Sequence, residues 1–343
     1  MKKLKMIYCW ILISVLLQAA MLSYVNFIYL PGRGAVKATM YEAETAAVKN
    51  RSFKLPEEVR DVMVSFDGLY VAFRQENDLV IVDLASRKTV KTLKPSGGVF
   101  TYFRWLPDRE MLIYSTKEPE GKSGQVCIST YDIGPELERS YPNIKNLPKD
   151  SEVIDIELSP LTNIVYPMIK ISKTKAKIYK FDIMDNLKFI MSSGITTIIK
   201  ETMYTDSLIY QSSDGIIRIR NGKTGKTSTI PVKEAKLLLA TDDNDFIHTA
   251  SLDENKKITA IITGKTGQKA LEWETVKLEQ PLSSTDVFIT AEGAIYRADK
   301  QKKEIHSLAG ADVTEYQGEL LTVLDHYVVS MDGNKLILRT LKK

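Results

Sequence analysis

The stretch of this chain closest to a phosphate-binding loop is Gly222-Lys223-Thr224-Gly225-Lys226-Thr227. Such a loop needs another glycine five residues before Gly225, and that position is Arg220. The stretch also lies between two strand-like segments, whereas phosphates are cradled where a strand turns into a helix and backbone amides converge. A hairpin turn is the expected structure. No Gly-x-Ser-x-Gly elbow occurs, which excludes a fused hydrolase of that type.

The remaining chemistry-bearing residues are scattered. His248, His306 and His326 lack ligand spacing, so each is expected to be a strand residue and no metal or cofactor is expected. Asp242-Asp243-Asn244-Asp245 has the look of a calcium loop. It lacks the glycine and the distal glutamate of one, and a solvated turn is expected. Trp105 and Trp273 are expected in packing, not as ligand platforms. Asp155, Glu157 and Glu201 are carboxylates on strand-like segments that could meet in a shared site. Lys170, Lys173, Lys175, Lys177 and Lys180 form the densest charge cluster, and Lys117 and Lys122 occupy the matching place one module earlier. These lysines read either as a basic rim for an acidic partner or as solvated hairpins whose charges protect sheet edges.

The elements that position these residues repeat. Residues 59–93 read as four short strands, with Val62, Val64 and Phe66 alternating before Asp67-Gly68, and further turns at Gln75-Glu76-Asn77 and Ser86-Arg87-Lys88. Similar modules start near residues 101, 152, 197, 235, 281 and 318, at intervals of 37 to 51 residues. That is the spacing of β-propeller blades. Gly-Lys-Thr-Gly recurs at 222–225 and 264–267, 42 residues apart, each time between a third and a fourth strand. Seven modules are counted, the last two faint enough that six or eight also fit. The seventh has three strands, and Arg51-Ser52-Phe53-Lys54-Leu55 is a lone strand before the first. If that strand completes the last blade, the ring closes without a ragged edge.

Val64-Ser65-Phe66-Asp67-Gly68-Leu69-Tyr70-Val71-Ala72-Phe73 resembles the Ser-Pro-Asp-Gly turn of WD40-like and TolB-like (PD40-type) bacterial propellers. Trp105-Leu106-Pro107-Asp108-Arg109 and Leu158-Ser159-Pro160-Leu161-Thr162 resemble weaker copies, and Asp83, Asp132 and Asp182 match the aspartate that ends the third strand. The first copy lacks the proline and no Trp-Asp dipeptide occurs, so the eukaryotic WD40 family proper is a poor match. The resemblance covers roughly residues 50–343 and implies the fold, since such propellers host many unrelated tasks.

Residues 1–6 carry Lys2, Lys3 and Lys5, and residues 7–30 contain no charge. Twenty-four residues of helix reach about 36 Å, enough for a bilayer. A signal peptide would have a shorter apolar region and a small-x-small site, for which Gln18-Ala19-Ala20 is the sole faint candidate. An uncleaved transmembrane helix is expected, with the lysines cytoplasmic and the rest outside. The formal net charge is +4, so removing those three lysines leaves the exterior near +1 and gives no reason to expect nucleic acid. Cys127 is the only cysteine outside the apolar run, so no intramolecular disulfide is expected.

The expectation is therefore all-β: a cytoplasmic tail (1–6), one transmembrane α-helix (7–30), a linker with a short helix (31–49) and a seven-bladed β-propeller (50–343). Its expected role is a non-catalytic, extracytoplasmic platform at the cell membrane. Its partner would be a protein or an anionic envelope polymer, within a bacterial envelope assembly or export system. The alternative is a propeller enzyme or ligand-binding protein of glycan lyase or hydrolase type, with an acidic site in the central channel.

Overall fold

A computed structural model describes residues 2–24, 49–95, 98–120 and 123–342. Residues 1–48 and 49–343 form two separate compact units. The first holds helix α1, Lys2–Tyr24. No glycine or proline interrupts it, and its large side chains from Trp10 and Leu12 to Leu17, Met21 and Leu22 are all exposed. Among the described residues no helix is long and apolar enough to cross a membrane. The described helix stops at Tyr24, and residues 25–30 of the expected span lie outside the described residues, as do residues 31–48 of the expected linker.

The second unit is a seven-bladed propeller. Blades 1 to 6 are the sheets at 59–93, 99–147, 152–194, 198–229, 237–282 and 287–315, each antiparallel with its strands in sequence order from the inside out. Blade 2 is the exception in detail. Its outer strand breaks, so that both Leu137–Ser140 and Ile144–Leu147 pair with Ser123–Asp132. Blade 7 combines Glu319–Val323, Tyr327–Asp332 and Lys335–Thr340 with the N-terminal strand Arg51–Lys54. Ser52 lies opposite Ile337 and Phe53 opposite Leu336, so the ring is closed by the strand expected to close it. Seven sheets also decide the blade count.

Burial explains the order. In blade 1, Val71 and Phe73 on the second strand and Val80 and Val82 on the third join a cluster with Tyr327, Val329, Leu336 and Leu338 of blade 7. Their sequence neighbours Ala72, Leu79 and Ile81 join Phe103, Trp105 and Leu112 of blade 2. Successive side chains of a strand point to opposite faces, so near-continuous apolar runs mean a sheet covered on both sides. Five further clusters fill the remaining interfaces between successive blades. The hydrophobic core is thus seven inter-blade seams.

The Asp67-Gly68 turn ties the closing strand to blade 1. Gly68 has φ +69°, and a Cβ there would collide with the Tyr327 ring of blade 7. The Asp67 carboxylate accepts the Leu69 amide at 3.0 Å, and Arg51 donates to the Gly68 carbonyl at 2.8 Å. The Leu55 amide donates to the Asn334 carbonyl at 2.8 Å, and the Leu55 side chain is 2% exposed in the seam between blades 7 and 1. Leu55→Ala is expected to cost about 2–4 kcal/mol in urea unfolding. Lys54→Ala, on the exposed side of the same strand, should stay within about 0.5 kcal/mol.

Candidate functional site

The inner strands of the blades line a channel along the propeller axis. One cavity, of about 240 Å³, is bordered by blades 2 to 6, including Arg104, Glu157, Lys200, Glu201, Asp243 and Thr290. A second, of about 520 Å³, is bordered by blades 1, 2, 6 and 7, with Val62, Phe66, Tyr102, Val323 and Asp325 in its wall. The two share Arg104, Pro107, Ile289, Thr290 and Ala291, so they are two sides of one axial space. One side is charged and the other largely apolar.

Charges on the inner strands pair across blade boundaries. Glu157 of blade 3 accepts Arg104 of blade 2 at 3.2 Å and Lys200 of blade 4 at 2.6 Å, both through Oε1. Burial alone would raise the Glu157 carboxyl, but attraction to Lys200 and Arg104 outweighs it and holds the group below the usual carboxylate range. Asp155 accepts the Tyr102 hydroxyl at 3.1 Å; burial and the neighbouring Glu157 charge raise its carboxyl. Glu201 differs. It is 6% exposed, and burial, with repulsion from Glu157 and Asp206, raises it well above the ordinary value against the opposing pull of Lys180 and the Ser159 backbone. The three expected carboxylates therefore lie near one another in blades 3 and 4 but in unlike states.

The turns after the inner strands carry a second acidic group, which no sequence pattern of a known site revealed. Burial raises Asp243 to about 6, helped by repulsion from Asp325, Asp108, Asp242 and Glu292. These carboxylates come from blades 5, 7, 2 and 6, so they converge from different sides of the channel mouth. The available signal was an acidic residue in the first turn of most modules, read instead as turn chemistry. The expected solvated turn at 242–245 is corrected here, because Asp242 and Asp245 are buried. Asp242 accepts the Asn244 and Phe246 amides, each at 2.9 Å, and contacts His248 Nε2 at 3.0 Å. Asp245 accepts the Tyr204 amide of blade 4 at 2.9 Å. These bonds use the carboxylates a calcium loop would need.

The lysines divide. Lys173 is exposed in the hairpin between the second and third strands of blade 3; Lys175 is exposed and Lys177 half-buried on the following strand. Lys170 pairs with Glu152 at 2.6 Å. Lys117 sits half-buried on Met111–Glu120, in the matching hairpin of blade 2, and Lys122 lies outside the described residues. Both hairpins join second to third strands, so they stand on the face opposite the first turns. Lys180 does not belong to this set. It is buried between blades 3 and 4, paired with Asp206, and donates to the Gly222 carbonyl at 3.2 Å.

Gly222 starts a hairpin turn, as expected, and a Cβ there would overlap the Asp206 carboxylate. Trp105 is buried and donates to the Met63 carbonyl at 3.1 Å; Trp273 is buried too. His248 is buried, and His306 bonds Glu304 at 3.0 Å on the surface of blade 6. Asp299, Glu304 and His306 place potential ligand atoms within 4.8 Å of one another.

With this geometry in hand, likeness to solved structures is informative about the fold. The crystal structure of the Cps50 (Swd1) β-propeller domain of Myceliophteria thermophila matches with TM-score 0.53 and 12% identity, covering 85% of this chain and 100% of that one. Hsv2 of Kluyvelomyces marxianus matches with TM-score 0.48 and 12% identity, over 84% and 97%. The chain has a WD40-like seven-bladed fold. No protein-family model and no curated protein sequence matches it.

Two substitutions test the channel electrostatics. Glu157→Gln leaves Arg104 and Lys200 without their counter-charge and is expected to cost about 3 kcal/mol of stability. The depressed Glu157 carboxyl stabilises the fold above the ordinary carboxylate pKa, and that contribution fades as pH falls through its folded value. Wild type and Glu157→Gln should therefore converge in acid-unfolding scans.

Asp243 has the opposite sign. Its cost is absent near pH 4 and fully present above about pH 6. Asp243→Asn should raise stability at pH 7.5 by about 1–2 kcal/mol, allowing for solvent screening, and have no effect near pH 4. Thermal unfolding at both pH values checks this.

Proposed function

We propose that this protein is a membrane-anchored, extracytoplasmic propeller of the TolB-like kind, serving as a non-catalytic platform for a protein partner or an anionic envelope polymer. The observation that carries this reading is the closed ring. Seven apolar seams and a strand supplied by the chain's own N-terminal side make a rigid disc that presents turns from every blade on two faces. Rigid scaffolds bearing many loops suit recognition. In a bacterium, such a platform fits an accessory of a cell-envelope assembly or export system.

Anchoring is supported by α1, which is apolar on all sides and has no charge after Lys5, in a sequence whose uncharged run continues to residue 30. A helix with no polar face needs an apolar surrounding. The lysine-rich hairpins of blades 2 and 3 are the face offered to an acidic partner, through Lys117, Lys173, Lys175 and Lys177, with Lys170 partly neutralised by Glu152; Lys122, expected in the same set, lies outside the described residues.

Carboxylates at the axis favour one second reading, a channel that binds a ligand or acts on a glycan. Against the catalytic version, Glu157 is held as a carboxylate by two cations, which makes it a poor base and leaves it no proton to give.

Alkaline carbonate extraction of membranes, followed by protease treatment of intact spheroplasts, tests the anchored platform. The full-length chain should resist extraction, and its propeller should be cleaved from outside. Release by carbonate, or protection from external protease, would overturn anchoring or orientation respectively.

A further inference from the structure

The seam between blades 5 and 6 is not filled throughout. Leu237, Leu252 and Leu278 of blade 5 pack beside Ile295 and Leu308 of blade 6. Beyond these residues the blades part around a groove of about 550 Å³, walled by Glu279 and Gln280 on one side and by Arg297, Asp299, Lys302 and His306 on the other. Strand alternation puts the last group there. Tyr296, Ala298 and Ile305 join the seam with blade 7, so their neighbours Arg297, Asp299, Glu304 and His306 face blade 5. In the register of the sheet, Asp299 lies opposite Glu304 and Glu304 opposite Glu315. Three carboxylates thus cross three adjacent strands in one row, and like charges directly opposite one another destabilise a sheet. Among the described residues, none of the three forms an ion pair with a lysine or arginine, although Arg297 and Lys302 line the same groove. Lys300, next to Asp299 in the chain, pairs with Asp286 at 2.6 Å instead.

A histidine joins two of these acids. Asp299, Glu304 and His306 each bring one ligand atom within 4.8 Å of the others, and His306 Nε2 is 3.0 Å from Glu304 Oε2. Atoms bound to one ion at about 2.1 Å stand about 3–4 Å apart, so a small turn of half-exposed side chains closes the set. Asp299 is already oriented for it. Its Oδ1 accepts the Gln301 and Lys302 amides at 3.1 and 3.0 Å, which leaves Oδ2 for another partner. Metal sites orient their ligands through such outer hydrogen bonds. One imidazole with two carboxylates suits zinc or manganese better than magnesium or calcium, which take oxygen ligands.

We propose that Asp299, Glu304 and His306 form a binding site for a divalent transition-metal ion of the zinc class at the groove between blades 5 and 6. The ion offsets the row of carboxylates and pins the hairpin at 299–304. Three protein ligands leave coordination open toward the groove, where water completes the set. The site goes beyond the platform reading and does not depend on it.

The test uses the full-length, untagged chain in detergent micelles, stripped with EDTA, dialysed and titrated with zinc chloride in a calorimeter. Wild type should bind zinc saturably, and His306→Gln and Glu304→Gln should each weaken binding about tenfold or more. Zinc should also raise the thermal midpoint of wild type and leave that of both variants unmoved. Without metal, Glu304→Gln should unfold no more easily than wild type, because it removes a like-charge opposition; lost binding is then not lost folding. His326→Gln, at an exposed position of blade 7, should bind as wild type does. Cobalt(II) in place of zinc should give visible absorption that His306→Gln abolishes. No saturable zinc binding, unchanged affinity in His306→Gln and Glu304→Gln, or calcium and magnesium held as tightly as zinc would overturn the site.

Discussion

Every sheet of this propeller is apolar on both faces, and that constraint decides the architecture. A four-stranded sheet with runs such as Val71-Ala72-Phe73 and Leu79-Val80-Ile81-Val82 has to be covered twice. A two-layer sandwich covers each sheet once. A ring covers every sheet twice provided that it closes, and the cluster joining Val71 and Phe73 to Tyr327, Leu336 and Leu338 is where this one closes. If that seam opened, blades 1 and 7 would each expose an apolar face, and the outer edge of Lys335–Thr340 would be unpaired. The strand around Phe53 is thus the part of the propeller on which the others depend.

Polar contacts set the geometry within that frame. Arg74 of blade 1 donates to the Phe100 carbonyl at 2.8 Å, Arg104 to the Ile156 carbonyl at 2.9 Å, and Tyr166 to Asp206 at 2.7 Å. Each bond crosses from one blade to the next. Apolar seams are nearly indifferent to small sliding, whereas buried hydrogen bonds tolerate little. The same mixture of charged and apolar walls gives the channel its two characters.

The ring was legible because its signals are local. Asp67-Gly68, the Gly-Lys-Thr-Gly turns and the alternation of apolar residues each fix a hairpin, and their spacing gives seven modules with six or eight left open until the seven sheets decide; the lone strand at 51–55 then completes the last blade. The channel was legible only in part. Asp155, Glu157 and Glu201 could be placed on inner strands, but the partners of Glu157, Arg104 and Lys200, come from neighbouring blades some forty to fifty positions away, and no spacing rule links them. Lys180 shows the same gap: it sits in a lysine-rich run, yet its strand position turns it inward to Asp206. Burial of Asp242 and Asp245 was hidden because an acidic turn looks alike in sequence whether water or the next blade receives it.

The most direct measurement of ring closure is a cross-link between the facing residues Ser52 and Ile337. The full chain carrying Ser52→Cys and Ile337→Cys, with Cys9 and Cys127 changed to serine, would be oxidised while folded and mapped by peptide mass spectrometry. A closed ring predicts near-complete linkage of residues 52 and 337 within one chain, abolished when the protein is unfolded before oxidation. Free thiols at both positions in the folded protein, or linkage only between chains, would contradict closure by the N-terminal strand.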